Sequence, residues 1–442
     1  MRQKAVSDAV NRGKSPDISG CFDSNAFGVT ARKGGTALCL LALALIFCFS
    51  PLLRSGASAA QAASAKPAAN GVPARTSAGS AAPSLDVMIG SMLMLGFRGA
   101  DLPQGDAFLA QVRVGHVGHI ILFDRDVTTG GERNIISPQQ VRRLTATLRA
   151  VSPCPLLIAV DQEGGRVRRL KPQRGFADLP SAQSMGAASP EKTRAIARQL
   201  GVELASLGIS VDLAPVADVN SNPANPAIGA LERSFSPNPT LVAAHALAFG
   251  QGLAQSGIIP ALKHFPGQGG AQKDSHLGLT DITRSWNAKA DLAPYAQAFA
   301  QGWPGMVMLG HLYHKGLDPQ YPATLSHAVV GDLLRGRMDW QGVIISDDMQ
   351  MKAITDHYGM EQAMLLAVNA GVDILLFGNN LYWDETLPRK AFETLRGLVE
   401  SGRISRQRIM ESWLRITNLY ASRATVARAA ADGSSALYPW TR

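Results

Sequence analysis

From about residue 85 onward, short apolar runs alternate with longer amphipathic segments, and this alternation constrains the fold more than any other feature of the 442-residue chain. A run of only a few apolar residues between turn-forming residues is typical of a buried strand. Eight such runs occupy residues 91–97, 118–123, 156–160, 210–213, 258–262, 306–309, 343–345 and 372–377. Helices are predicted near residues 138–151, 190–207, 240–256, 288–301, 325–336, 360–370, 386–401 and 406–422.

Strands that alternate with helices pair in parallel, so the pattern predicts an α/β fold. Eight strands over roughly 340 residues suit a (β/α)8 TIM-type barrel with some long loops. A doubly wound open sheet is the alternative fold. No G-x-G-x-x-G motif follows the first predicted strand, which weakens a dinucleotide-binding interpretation.

Polar and charged residues follow one predicted strand after another. They are Asp161 to Arg166 after the third strand, Asp212 and Asp218 around the fourth, Lys263-His264 after the fifth, Gly310-His311 after the sixth and Ser346-Asp347-Asp348 after the seventh. The carboxyl ends of barrel strands meet at one face, where barrel enzymes hold their catalytic residues. The pattern therefore favours an enzyme over a scaffold.

The stretch from residue 258 to 276 joins several of these signals. An apolar run ends in Lys263-His264, a glycine-containing loop follows, and the loop closes with Asp274-Ser275-His276. An imidazole two residues from a carboxylate can act as a general acid and base near neutral pH, with the carboxylate orienting it.

Composition and motifs exclude several other functions. The net charge is +9, but residues 1–60 carry seven Lys/Arg and three Asp/Glu, and no basic, aromatic-interleaved patch suggests nucleic acid. Three of the four cysteines lie within the first 48 residues, and no Cys/His cluster suggests a metal.

No G-x-S-x-G, H-E-x-x-H or phosphate-binding loop is present. The remaining carboxylates, imidazoles and cations suit glycoside hydrolysis, without a metal or organic cofactor.

Four stretches resemble glycoside hydrolase family 3, in its single-domain β-N-acetylglucosaminidase (β-hexosaminidase) branch. They are DQEGGRVRR at 161–169, NPANPAIG at 222–229 continuing to RSF at 233–235, KHFPG at 263–267 with DSH at 274–276, and ISDDM at 345–349. The resemblance covers about residues 85 to 421. One departure is the loop centre at 268–271, where the family commonly has a histidine after Pro-Gly and this chain has Gln268.

The resemblance implies a role for each matching position. Asp347 corresponds to the nucleophile, His276 to the acid/base on a mobile loop, and Asp274 to the partner of that histidine. The positions implied to bind the sugar are Asp161, Arg169, Arg233, Lys263 and His264. We expect Glu163 to support its glycine-rich turn, Asp348 to cap a helix or support Asp347, and His311 to be a weaker candidate for substrate contact.

These observations together predict an exported retaining β-N-acetylglucosaminidase. Its substrate would carry a terminal β-linked N-acetylglucosamine, on peptidoglycan fragments or on chitooligosaccharides. Two alternatives remain open: a β-N-acetylglucosaminide phosphorylase that uses the same site, and an inactive barrel that binds cell wall.

The N-terminal region predicts export. Residues 36–53 are almost wholly apolar, a basic flank precedes them, and small residues follow. We expect residues 1–54 to be a signal peptide or membrane anchor, 55–84 a flexible Ala/Ser/Pro-rich linker, 85–422 the barrel and 423–442 a tail. The expected location is periplasmic or at the cell surface. Attachment to the inner membrane through residues 36–53 is the alternative to a cleaved signal peptide.

Overall fold

The computed structural model describes residues 83–274 and 277–431. The predicted signal or anchor segment and nearly all of the predicted linker lie outside the described residues. Within the described part of the chain, no helix combines the length and the apolar character needed to cross a membrane.

Eight parallel strands close into a barrel, which confirms the predicted fold. The barrel closes where the first strand pairs with the last, with Leu93 opposite Leu375. The strands are β1 Leu93–Gly96, β2 His119–Ile121, β3 Leu157–Val160, β4 Val211–Asp212, β5 Ile259–Phe265, β6 Met306–Leu309, β7 Ile344–Asp348 and β8 Ile374–Phe377. Each predicted run contains or overlaps one of them, but β5 and β7 continue into the charged residues that were predicted to follow them.

A helix follows each barrel strand and packs on the outside of the barrel. The α-helices are α1 Leu85–Gly90, α2 Ala107–Arg113, α3 Pro138–Val151, α4 Ala182–Gly186, α5 Pro190–Ser206, α6 Pro239–Gln255, α7 Ala288–Asp291, α8 Ala293–Ala300, α9 Lys352–Thr355, α10 Met360–Ala370, α11 Leu387–Glu400 and α12 Arg406–Ala431. A helix with π-type hydrogen bonding, Ala328–Arg337, follows β6. Two small sheets lie outside the barrel, Gln162–Gly164 with Val167–Arg168 and Thr280–Asp281 with Leu312–Tyr313.

Three of the long helices begin with the same local chemistry. Ser137, Ser189 and Asn238 each accept a hydrogen bond from a backbone N–H of the first helical turn, and a proline follows each of them. Such a cap satisfies an N–H that has no partner within the helix, and proline at the first helical position costs nothing because its missing N–H is not needed there. These caps explain why the starts of α3, α5 and α6 are predictable to within a residue.

Helix α12 differs from the prediction. It was expected to end at 422, yet it continues to Ala431, so the boundary placed between barrel and tail falls inside a helix. The residues after 422 are rich in alanine and arginine, which favour helix but give little hydrophobic periodicity to read.

A buried ion cluster ties α12 to the barrel at the start of β8. Asp373 is fully buried. Its carboxylate lies 2.6 Å from Arg335 Nη2, 3.1 Å from Arg415 Nη1 and 3.3 Å from Arg408 Nη2. It also accepts hydrogen bonds from Ser412 Oγ at 2.8 Å and from the backbone N–H of Ile344 at 3.0 Å. One carboxylate thus joins two barrel strands, the π-type helix and α12.

Candidate active site

A cavity of about 410 Å³ opens at the carboxyl ends of the barrel strands. Seven of the eight predicted site residues line it: Asp161, Arg169, Arg233, Lys263, His264, Asp274 and Asp347. The eighth, His276, lies outside the described residues. Strands and loops that are far apart in sequence therefore bring these seven residues to one place.

A chain of alternating charges forms one wall of this cavity. Lys263 Nζ lies 3.0 Å from Asp161 Oδ1 and 2.8 Å from Glu163 Oε1. Arg169 Nη2 contacts the other oxygen of Asp161 at 3.2 Å. Arg233 donates two hydrogen bonds of 2.7 Å to Glu163 through Nε and Nη2. Glu163 thus does more than support its turn, because it orients both Arg233 and Lys263.

The two carboxylates of this wall are ionised at neutral pH. Burial by itself raises the pKa of Asp161, but the charges of Lys263 and Arg169 outweigh it and hold that pKa well below its usual range. For Glu163, burial is likewise outweighed by Arg233 and Lys263, which lower its pKa to about 2. Both groups can therefore accept hydrogen bonds from sugar hydroxyls, but neither can act as a proton donor.

His264 is held in one tautomer by its neighbours. Its Nδ1 lies 2.7 Å from Asp218 Oδ2, and its Nε2 lies 3.4 Å from Arg233 Nη2. A guanidinium can only donate, so Nε2 accepts and Nδ1 carries the proton that is donated to Asp218. The sequence places Asp218 near a strand end but indicates no role for it. Its buried carboxylate also accepts the backbone N–H of Gln268 at 2.7 Å.

Strand β7 carries Asp347 into the cavity. Asp347 Oδ1 accepts the backbone N–H of Asp348 at 2.8 Å. Asp348 Oδ1 accepts the backbone N–H groups of Gln350 and Gly378, each at 3.0 Å, and so supports the turn after Asp347. Asp348 is therefore a supporting residue of the turn, as expected.

His311 supports the same turn through a hydrogen bond to its backbone. It is fully buried, with Nδ1 2.8 Å from Thr324 Oγ1 and Nε2 3.0 Å from the backbone carbonyl oxygen of Asp348. Because the carbonyl can only accept, Nε2 carries a proton and donates it. Both ring nitrogens contact protein atoms, and His311, unlike His264, is not among the residues that line the cavity, so the geometry favours a positioning role over substrate contact.

The loop after β5 is anchored before it reaches Asp274. Asn225 Nδ2 donates to the backbone carbonyl oxygens of Gln268 and Gly269 at 2.8 and 3.1 Å, and Asn222 Nδ2 donates to that of Ala271 at 2.9 Å. A Cβ at Gly269 would lie 1.7 Å from the carbonyl oxygen of Val219, so only glycine fits there. The NPAN segment at 222–225 thus fixes the altered loop centre.

Asp291 lies beneath the start of this loop and carries a buried carboxyl group. A Cβ at Gly267 would lie 2.7 Å from Asp291 Cβ, so the loop backbone packs directly on it. Asp291 Oδ2 accepts the backbone N–H of Asn287 at 2.7 Å, while Oδ1 is buried without a hydrogen-bond partner among the described residues. Burial raises the pKa of Asp291 to about 7.

We expect the Asp291→Asn substitution to stabilise the protein more at pH 8 than at pH 5. The folded-state pKa lies above the unfolded one, so the contribution of Asp291 to stability is fully present below about pH 4 and is lost as pH rises to about 7. Between pH 5 and pH 8 this difference amounts to at most about 3 kcal/mol. Thermal unfolding of both proteins at the two pH values measures it, with Asp356→Asn as an exposed control. An equal effect at both pH values would contradict the prediction.

A family model described as the glycosyl hydrolase family 3 N-terminal domain matches residues 84–419. The chain is 34% identical over 365 residues to β-hexosaminidase A of Pseudoalteromonas piscicida, covering 75% of this chain and 60% of that protein. The chain thus spans less than two thirds of the length of this relative.

Two solved structures have the same fold. One is a glycoside hydrolase family 3 β-N-acetylglucosaminidase from Paenibacillus sp., with 35% identity and a TM-score of 0.71, covering 80% of this chain and 64% of that one. The other is a β-N-acetylhexosaminidase from Beutenbergia cavernae, with 30% identity and a TM-score of 0.67, covering 78% of this chain and 99% of that one.

Proposed function

Because this chain belongs to glycosyl hydrolase family 3, we propose that it hydrolyses terminal β-linked N-acetylglucosamine from oligosaccharides with retention of configuration. The observation that carries the proposal is the cavity at the carboxyl ends of the strands, which Asp347 lines together with Asp161, Lys263 and Arg169 of the charged wall. The names of the relatives support the choice of sugar.

In the proposed reaction Asp347 attacks the anomeric carbon and forms a glycosyl-enzyme intermediate. His276 protonates the leaving oxygen and then takes a proton from the water that hydrolyses the intermediate. Asp274 orients the imidazole. The ionised Asp161, with Arg169, Lys263 and His264, binds the hydroxyl and acetamido groups of the sugar. Arg233 is placed to act mainly through Glu163 and His264, which it contacts directly.

An assay of aryl β-N-acetylglucosaminide and the matching β-glucoside, each with and without phosphate, tests this function. We expect free N-acetylglucosamine from the first substrate, without phosphate. Sugar 1-phosphate as the product would identify a phosphorylase instead. Binding without turnover of either substrate would support the inactive wall-binding barrel.

For the natural substrate we propose a peptidoglycan fragment, whose muramic acid carries a carboxylate. The support is the charge at the mouth of the cavity. Arg168 pairs with Asp178 and Lys171 pairs with Asp124, whereas no carboxylate of residues 83–274 or 277–431 pairs with Arg125 or Arg166. Both arginines line the cavity and are exposed, so their charge is available to an anionic aglycone.

We expect Arg166→Gln to lower kcat/KM about three- to fivefold on an N-acetylglucosamine–muramic acid disaccharide, as for an exposed ion pair. Activity on chitobiose, which is uncharged, should change little. Arg168→Gln is the matched control, because its guanidinium is already paired with Asp178. If Arg166→Gln slowed both disaccharides equally, the arginine would not recognise the aglycone charge and this support for peptidoglycan would be lost.

We also propose that the protein is exported and acts in the periplasm or at the cell surface. The support is the apolar run at 36–53 with its basic flank, and the cell-wall substrate proposed above agrees with this location. Fractionation of cells that produce the full chain, followed by N-terminal sequencing, distinguishes a cleaved signal from a retained anchor. Recovery of uncleaved protein from the cytoplasmic fraction would contradict export.

A further inference from the structure

A second cavity lies at the carboxyl ends of β7 and β8. Its volume is about 170 Å³, and its lining includes Met349, Gln350, Tyr358, Met360, Tyr382 and Asp384. None of these residues was assigned a role in the proposed reaction. With Phe377, the lining combines three aromatic rings and two methionines with a few polar groups, which is the composition of a small ligand subsite.

The second cavity adjoins the first through two short segments of chain. At the end of β7, Asp347 and Asp348 line the first cavity, and the next two residues, Met349 and Gln350, line the second. After β8, residues 380–381 line the first cavity, and Tyr382 lines the second. Because consecutive Cα atoms are about 3.8 Å apart, the backbone segments that line the two cavities are immediate neighbours.

Hydrogen bonds fix these two segments to each other. The backbone N–H of Gly378 donates to Asp348 Oδ1 at 3.0 Å, and that of Asn379 donates to Gln350 Oε1 at 2.6 Å. Gln350 Nε2 in turn donates to the backbone carbonyl oxygen of Tyr382 at 3.0 Å. The position of Tyr382 is therefore tied to the strand that carries Asp347.

The side chain of Tyr382 is unusually accessible for an aromatic residue. It is 70% exposed, so it contributes little to the core and leaves a ring face open to a ligand. The charged group of this cavity, Asp384, is already neutralised by Lys390 at 2.7 Å. An uncharged ligand with an apolar face fits this chemistry, and the C–H face of a pyranose ring is such a surface.

We propose that this second cavity is an aglycone subsite in which Tyr382 stacks against a sugar ring of the leaving portion of an oligosaccharide. The proposal rests on the proposed function, since the aglycone is defined by cleavage in the first cavity. The proposal adds that the enzyme discriminates between oligosaccharides by chain length. The terminal sugar does not contact Tyr382, so only the leaving portion of the substrate can make this contact.

Tyr382→Ala and Tyr382→Phe test the subsite in the full-length protein. With N,N′,N″-triacetylchitotriose, we expect Tyr382→Ala to lower kcat/KM about tenfold, as for the loss of an aromatic anchor, and Tyr382→Phe to retain most of the activity. The Ki of free N-acetylglucosamine, which occupies only the first cavity, should be the same in all three proteins. Because Tyr382 is mostly exposed, neither substitution should impair folding.

Two results would overturn the subsite. One is an unchanged kcat/KM for triacetylchitotriose in Tyr382→Ala. The other is a loss of affinity for free N-acetylglucosamine in Tyr382→Ala that equals its loss of kcat/KM on the trisaccharide. That result would indicate a general disturbance of the loop after β8. Failure of the proposed function itself would be seen separately, as absence of N-acetylglucosamine release by the unmodified protein.

Discussion

Replacing Asp347 by asparagine should reduce kcat by about ten-thousandfold or more. The substitution keeps the shape of the side chain and can keep the hydrogen bond from the backbone N–H of Asp348, but an amide does not form the glycosyl-enzyme intermediate. Release of the aglycone from aryl β-N-acetylglucosaminide measures the loss. Because binding does not require the nucleophile, the Ki of N-acetylglucosamine should change much less than kcat.

The neighbouring carboxylate provides a matched control for this prediction. Asp348 accepts two backbone N–H groups through Oδ1, and asparagine can accept both in the same way. We therefore expect Asp348→Asn to retain activity within about tenfold of the original. If Asp348→Asn abolished turnover while Asp347→Asn did not, the two aspartates would have been assigned to the wrong roles.

The second large effect concerns stability. We expect Asp373→Ala to lower the free energy of unfolding by about 3–5 kcal/mol, because Arg335, Arg408 and Arg415 would lose the buried carboxylate that neutralises them. Ser412 Oγ and the N–H of Ile344 would lose an acceptor as well. Urea denaturation, followed by tryptophan fluorescence, measures the shift in midpoint.

Glu393→Ala is the control for Asp373→Ala. Glu393 forms an exposed ion pair with Arg389 one helical turn away on α11, and such pairs contribute only a few tenths of a kcal/mol. We expect its unfolding midpoint to stay close to that of the original protein. Equal midpoints for Asp373→Ala and Glu393→Ala would show that the cluster at the start of β8 does not stabilise the barrel.

Much of the barrel could be predicted because its strands and helices have clear local signals. Each strand lies within or overlaps a run of mostly apolar residues, and three helix starts carry a cap followed by proline. The ends of β5 and β7 are predicted too early because polar residues interrupt the apolar runs, Lys263-His264 in β5 and Ser346-Asp347-Asp348 in β7. Charged side chains at these ends mask the hydrophobic pattern from which strands are predicted.

The residues of the candidate site, like the strands and helices, could be predicted from the sequence only in part. The residues that resemble family motifs could be named from the sequence, and the structure gathers seven of them in one cavity. The supporting roles of Asp218 and His311 could not be predicted because each acts on other protein groups: Asp218 on His264, and His311 on the backbone of Asp348. Such pairings join residues that are tens of positions apart, so no local pattern records them. The second cavity arises only where two loops meet.

The anomeric form of the first sugar released is the most direct measurement of the proposed mechanism. Proton NMR during rapid cleavage of aryl β-N-acetylglucosaminide, before mutarotation, distinguishes the two anomers. A nucleophilic Asp347 with double displacement predicts that β-N-acetylglucosamine appears first. Initial appearance of the α anomer would indicate single displacement by water and would contradict the role of Asp347 as nucleophile.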